Sequence, residues 1–362
     1  VREALRLQAV LLRRVRLFGD VVMPAYTHYQ AAVPITYGHY LAGVASSLNR
    51  DIDGMISAST DLDRCPLGAG AVGGTSFPIQ PGRTASLLGF DGPARHSIDA
   101  VASRDLILRL LASASILGIT ISRLAADLLL WTTAEFAFLS LPDSLIGSSS
   151  MMPQKRNPFL LEHVQGRSAA ALGAFVNSAT AMHAKPFTNS ISVGTEAVSP
   201  VWNALKSTTE SLLLTRLVVA GARPQQAAML RRAEQGYTVA TELANRLVSQ
   251  QGMPFRSAHF TVGSIIRGAI ENGEESLTQA TARWHNGHER SISFDGLDPA
   301  SVVQASAYGG GPSRQSLQSC FAALRDDWQT QIAHVRNQSR KWSVAAVALN
   351  EAVRQLCSQA SS

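Results

Sequence analysis

Leu106-Ile-Leu-Arg-Leu-Leu-Ala-Ser-Ala-Ser-Ile-Leu-Gly-Ile-Thr-Ile-Ser-Arg-Leu-Ala-Ala-Asp-Leu-Leu-Leu-Trp131 is apolar on nearly every side of a helix drawn through it. Such a helix cannot face water and has to be enclosed by neighbours. Its longest uncharged part, Leu110 to Ser122, is thirteen residues between Arg109 and Arg123. That is too short to cross a bilayer, which takes about 20 apolar residues. The stretch reads as the core helix of a bundle, predicted from about Ser97 to Ala137 and closed by Pro142.

Four further long helices are predicted around it. They run over residues 2 to about 22, Thr36 to Asp61, Pro158 to Met182 and Pro200 to Gly221. In the second of these Tyr40, Leu41, Val44, Leu48, Ile52 and Met55 form one stripe. Ala25 to Gln30, residues 62–95 and Thr188 to Ser199 read as loops. Strands are scarce, and a helix near forty residues is far above the usual length. The prediction is an all-α, elongated five-helix bundle. Beyond Arg223-Pro224 the helical patterns shorten and are broken by Gly236, Gly252-Met-Pro254, Gly273 and Gly309-Gly-Gly-Pro312. This predicts two units, a long-helix domain at 1–222 and a smaller helical domain at 223–362.

The 362 residues carry a net charge of +6, spread along the chain without a Lys/Arg block interleaved with aromatics. That argues against nucleic acid as a partner and suits an anionic small molecule. Cys65, Cys320 and Cys357 have neither metal nor redox spacing, and no signal-peptide pattern is present. A reduced, cytoplasmic protein is expected, with no membrane partner, no metal and no cofactor. Gly68-Ala-Gly-Ala-Val-Gly73 spells a dinucleotide fingerprint, but no strand precedes it and Pro66 and Pro78 bracket it, so tight turns are the better reading. His285 and His288 read as solvated surface rather than as metal ligands.

The chemistry concentrates in Gly147-Ser-Ser-Ser-Met-Met-Pro-Gln-Lys-Arg-Asn-Pro158. A Gly/Ser run with nothing to pack is expected to be mobile. Asn157 and Pro158 suit the start of a helix, which Phe159, Leu160, Leu161 and Val164 continue. A hydroxyl, an ammonium and a helix N-terminus together suit a carboxylate-bearing substrate. Read by spacing alone, the stretch is more readily a surface loop between two helices.

The same stretch resembles the GSSxMPxKxNP signature of the fumarase/aspartase/argininosuccinate lyase superfamily, with the signature's glycine falling on Ser148. Met23-Pro-Ala-Tyr-Thr-His-Tyr-Gln30, Pro66-Leu-Gly-Ala-Gly-Ala71, Thr75-Ser-Phe-Pro78 and Ser97-Ile-Asp-Ala-Val-Ala-Ser-Arg-Asp105 resemble MPGYTHLQ, PLGAGA, TTFP and SLDAVSDRD of argininosuccinate lyases. The resemblance covers nearly the whole chain. It implies a homotetramer with a twenty-helix core, in which three subunits contribute to each active site. It implies elimination from a substituted succinate and a place in arginine biosynthesis. By position it implies Ser149 as the catalytic base, with His28 near the leaving group and Glu162 orienting it. Lys155 and Asn157 bind the carboxylate, and Thr27, Gln30, Ser150 and Asn189 also contact substrate.

Two departures qualify what is implied. The family's SxRSRND-type loop is not among these residues, which begin at Val1, so the N-terminal domain is expected to be absent from this chain. The family's YNKDMQEDK segment corresponds to Phe187-Thr-Asn-Ser-Ile-Ser-Val-Gly-Thr-Glu196, without its Gln and Lys. The alternatives are a lyase for another substituted succinate, such as adenylosuccinate, a muconate cycloisomerase, or an inactive helical tetramer with a structural role.

Overall fold

The computed structural model describes residues 1–274, 276, 277, 280 and 296–360. At its centre is helix α5 (Asp105–Trp131). It packs on α2 (Tyr37–Ser59), α6 (Phe159–Ser168), α7 (Ala170–Met182) and α8 (Val201–Gly221), and α1 (Arg2–Leu17) closes the group against α2 and α8. Leu111, Leu117, Ile121, Leu124, Leu128 and Trp131 of α5 are buried. By length and composition α5 could cross a membrane. Its place among four helices of its own chain is that of a bundle core.

The helices differ from the predicted ones at points where side-chain pattern is silent. The 97–137 helix is two, α4 (Ser97–Ala102) and α5, because Ser103 turns extended at ψ 134°. The 158–182 helix breaks at Ala169, where it crosses α5 at backbone contact: a Cβ on Gly118 would lie 2.3 Å from the Ser168 carbonyl oxygen. Residues 62–95 hold a short helix, α3 (Pro81–Leu88), capped by left-handed Gly89. A π-helical turn spans Ser192–Glu196 in the expected loop. Gly68, Gly70 and Gly74 all have positive φ in tight turns, and a Cβ on Gly70 would stand 2.6 Å from the Gly74 carbonyl oxygen.

The polar loop expected at Ala25–Gln30 is part of a hairpin, β1 (Val22–Thr27) with β2 (Gln30–Thr36). Pro24 faces Pro34 across it. Prolines argue against a strand in a sheet interior, but a two-stranded ribbon is all edge, and its prolines need no partner. His28 and Tyr29 turn the chain at φ 50° and 61°. That is the left-handed pair a tight hairpin needs, usually supplied by Asn-Gly.

Beyond Gly221, α9 (Gln226–Gln235) packs on the hairpin. Helices α10 (Ala240–Gln251), α11 (Phe255–Glu271) and α12 (Pro299–Ala305) share a separate core that includes Leu243, Leu247, Val262, Leu277 and Val302. The last helix, α13 (Arg314–Ala360), does not belong with them, as a unit at 223–362 would require. It returns along α1, α2 and α3, with Leu317 and Leu324 in the bundle core. Trp328 Nε1 donates to the Leu5 carbonyl at 3.0 Å, and Lys341 Nζ pairs with Asp63 at 2.5 Å and Asp91 at 2.6 Å. His285 and His288 lie outside the described residues. Among the described residues no cluster of three His, Cys, Asp or Glu could hold a metal ion.

Candidate active site

The serine loop follows the two-residue strand β3 (Leu139–Ser140) and has an ordered stem. β4 (Gly147–Ser148) pairs antiparallel with β5 (Arg156–Asn157), in the register Gly147 to Asn157 and Ser148 to Arg156. Between them the loop 149–155 folds on Ser149. Its Oγ accepts from the backbone N–H of Met152 at 3.1 Å and of Met151 at 3.4 Å. The Lys155 N–H donates to the Met152 carbonyl at 3.0 Å and closes the turn. Two donors aimed at one hydroxyl oxygen favour its negatively charged form. Ser149 is half-buried, while Ser150 and Lys155 are exposed.

Asn157 is buried and lies on β5, so it does not cap α6; Pro158 holds the cap position. Leu161 and Val164 then bury one side of α6 against the core. This leaves Glu162, in its first turn, exposed.

Thr27, His28 and Gln30 form the exposed tip of the β1–β2 hairpin. Below the tip, Tyr26 packs on Phe136 and Phe138, with ring centroids 5.6 and 6.3 Å away. Asn189 is exposed ahead of the π-helical turn, and Ser190 and Ser192 share a hydrogen bond beside it.

The chain therefore presents three groups. Ser149, Ser150, Lys155, Asn157 and Glu162 share one loop and helix start. Thr27, His28 and Gln30 share a hairpin anchored on α9 and α12, and Asn189 stands on a third segment. Among the described residues no hydrogen bond or ion pair joins the three groups, and His28 and Glu162 are not paired. Two supports of the serine loop carry no signal in residue spacing. Asp143 pairs with Arg156 at 2.5 Å, and the Phe159 ring lies over Gly147.

Two family models match the chain. One, described as lyase, covers residues 1–173, and one, described as argininosuccinate lyase C-terminal, covers residues 237–304. The argininosuccinate lyase of Pseudomonas aeruginosa is 34% identical over 325 residues, 89% of this chain and 70% of that protein. That of Thermus thermophilus is 36% identical over 312 residues, 84% of this chain and 67% of that protein. Among solved structures, an EDDS lyase variant with bound fumarate superposes with a TM-score of 0.89 at 30% identity, over 98% of this chain and 72% of that one. A class II fumarase from Schistosoma mansoni, at 19% identity and a TM-score of 0.67, shares the fold. On this evidence the chain belongs to the argininosuccinate lyase family of the fumarase/aspartase superfamily and is a carbon–nitrogen lyase.

Proposed function

We propose that this chain eliminates an amine or guanidine from an N-substituted aspartate and releases fumarate. The observation that carries the reading is the pair of backbone N–H groups on Ser149 Oγ. A serine is a base only when its alkoxide is stabilised, and these donors supply that stabilisation, with the Lys155 ammonium carried on the same loop. Ser149 takes the proton from the carbon beside a carboxylate. The electron pair moves into that carboxylate, where Lys155, Asn157 and Ser150 hold the doubled charge. Collapse forms the carbon–carbon double bond and breaks the carbon–nitrogen bond. The departing nitrogen takes its proton from His28, which Glu162 orients. Thr27, Gln30 and Asn189 hold the rest of the substrate. No electron is gained or lost overall, so the reaction as written needs no redox cofactor.

These groups stand apart in one chain, so the proposal includes a homotetramer whose copies complete each other's sites. Apolar side chains on the bundle support it. Ile116 and Ile119 of α5, Val176 of α7 and Trp202 of α8 are 57, 51, 56 and 70% exposed in the single chain. Copies packed along these helices would remove that surface from water. Cys65 is buried and stands as a thiol outside any disulfide, which suits the expected reduced, cytoplasmic setting.

The leaving group is the finer question. Thr188 to Thr195 is uncharged, and a guanidinium left without partners loses about 1–3 kcal/mol for each buried polar group left unpaired. Argininosuccinate is therefore proposed as a modest substrate at best. Incubating the protein with a panel of N-substituted aspartates, and following fumarate absorbance, tests both statements. Fumarate from at least one member supports the elimination, and none from any member refutes it. An efficiency on argininosuccinate of about 10⁴ M⁻¹s⁻¹ or more would overturn the leaving-group reading.

A further inference from the structure

Gly147 has an ordinary backbone, since it is not among the glycines with positive φ. Its conformation therefore does not demand glycine. Its surroundings do: a Cβ built on Gly147 would stand 2.2 Å from Phe159 Cδ2 and 2.4 Å from Cε2. Non-bonded carbons meet at about 3.5–4.0 Å, so the ring fills the space that any larger residue would need. Gly147 is also the ladder partner of Asn157, two residues before Phe159. The chain thus leaves β5, turns into α6, and lays its first side chain back on the opposite strand. The second link across the stem, Arg156 to Asp143, is a solvent-exposed ion pair, 57 and 87% exposed. Such pairs contribute little. Phe159 is itself 43% exposed, but its ring lies directly against the Gly147 backbone.

We propose that Phe159 is a positioning residue. Its ring, seated on Gly147, fixes the spacing of the two strands that carry Ser149 and Asn157. It thereby sets where Ser149 Oγ stands relative to the carboxylate held by Asn157 and Lys155. This rests on the role given to Ser149 above.

The test compares the parent with Gly147→Ala, Phe159→Ala, Phe159→Tyr and the Gly147→Ala/Phe159→Ala double variant. Two readouts are taken, kcat and KM for fumarate release, and hydrogen exchange of the amides at 149–155. Misplacing a base by about 1 Å costs roughly 10²-fold, so each alanine variant should lose that order of kcat while KM barely moves. Phe159→Tyr keeps the ring and should keep kcat. The double variant also lacks the ring and should be no better than Phe159→Ala, because room for the methyl group does not restore the seat on the strand. Exchange at Met151 and Met152 should quicken in both single variants and stay quick in the double variant. A parent-like kcat in Gly147→Ala or in Phe159→Ala, or a double variant that returns to the parent rate, overturns the proposal. If the parent turns over no substrate, the functional reading fails. The exchange data still decide the contact, because unchanged exchange in Gly147→Ala overturns it.

Discussion

Ser149 is the residue on which the proposed chemistry turns. It was legible in the sequence because the signature is contiguous: hydroxyl, ammonium and helix start lie within ten residues of one another in the chain. The two N–H donors that make the hydroxyl usable were not legible, since they depend on how the loop folds back. Replacing Ser149 with Ala should lower kcat by about 10²–10⁴ without changing the assembly, as loss of a general base does. Single-turnover kinetics and sedimentation check the two halves, and a rate within about threefold of the parent removes Ser149 as the base. Lys155→Met should act differently. It removes the positive charge that the proposed mechanism sets against the substrate carboxylate, needed more as charge accumulates, so kcat and kcat/KM should fall together. Unchanged kcat/KM would take Lys155 out of the site. Thr27, His28 and Gln30 are a different case. Their side chains form no spacing pattern of their own, and family resemblance alone singled them out.

At the scale of elements, length and apolar pattern located the bundle helices, whereas their breaks and crossings were hidden. The α5–α6 crossing depends on Gly118, whose lack of a side chain lets the Ser168 carbonyl approach. Gly to Ala within a helix is ordinarily stabilising by about 0.5–1 kcal/mol. At Gly118 the contact is to backbone and cannot yield cheaply, so Gly118→Ala should destabilise by about 1–3 kcal/mol. Gly268 in α11 has nothing near its would-be Cβ, and Gly268→Ala should be neutral or stabilising. Thermal unfolding of the two variants checks the contrast, and equal shifts in midpoint would contradict it.

The long return of α13 is tied down by Lys341, between Asp63 and Asp91. Burial pushes the Asp63 carboxyl up, but hydrogen bonds from Lys341 and Gln338 outweigh it and hold the group below its ordinary value. A depressed carboxylate contributes stability above its unfolded value near about 3.9 and loses it as pH falls through the folded value. Lys341 is raised, through Asp63 and Asp91 against its own burial, so its share is lost only as pH rises through its folded value. Lys341→Met leaves the Asp63 carboxylate buried and short of a partner, and should cost about 1–3 kcal/mol at neutral pH. Denaturant titrations should show that gap closing in acid below about pH 4. A gap unchanged between pH 7 and pH 3 would show that the pair contributes nothing.

For the whole molecule, the change of texture at Arg223-Pro224 was real in sequence, but it marked a change of helix length rather than the end of the bundle core. The return of α13 rests on contacts more than 250 residues apart, such as Trp328 to Leu5, and no local pattern encodes them. The apolar surface of α5 was legible as a demand for enclosure, and a single chain meets only part of it. One chain is proposed to carry three incomplete parts of a site, which its copies complete for one another. Ser149→Ala and His28→Ala chains should each be nearly inactive, for different reasons and on different elements. Mixed, dissociated and reassembled, they should form some sites that hold an intact Ser149 loop beside an intact His28 hairpin. The decisive measurement is fumarate release by the reassembled mixture, on a substrate the parent turns over. A rate well above that of either variant alone is expected, while a mixture no faster than its components would show that the site is not shared between chains.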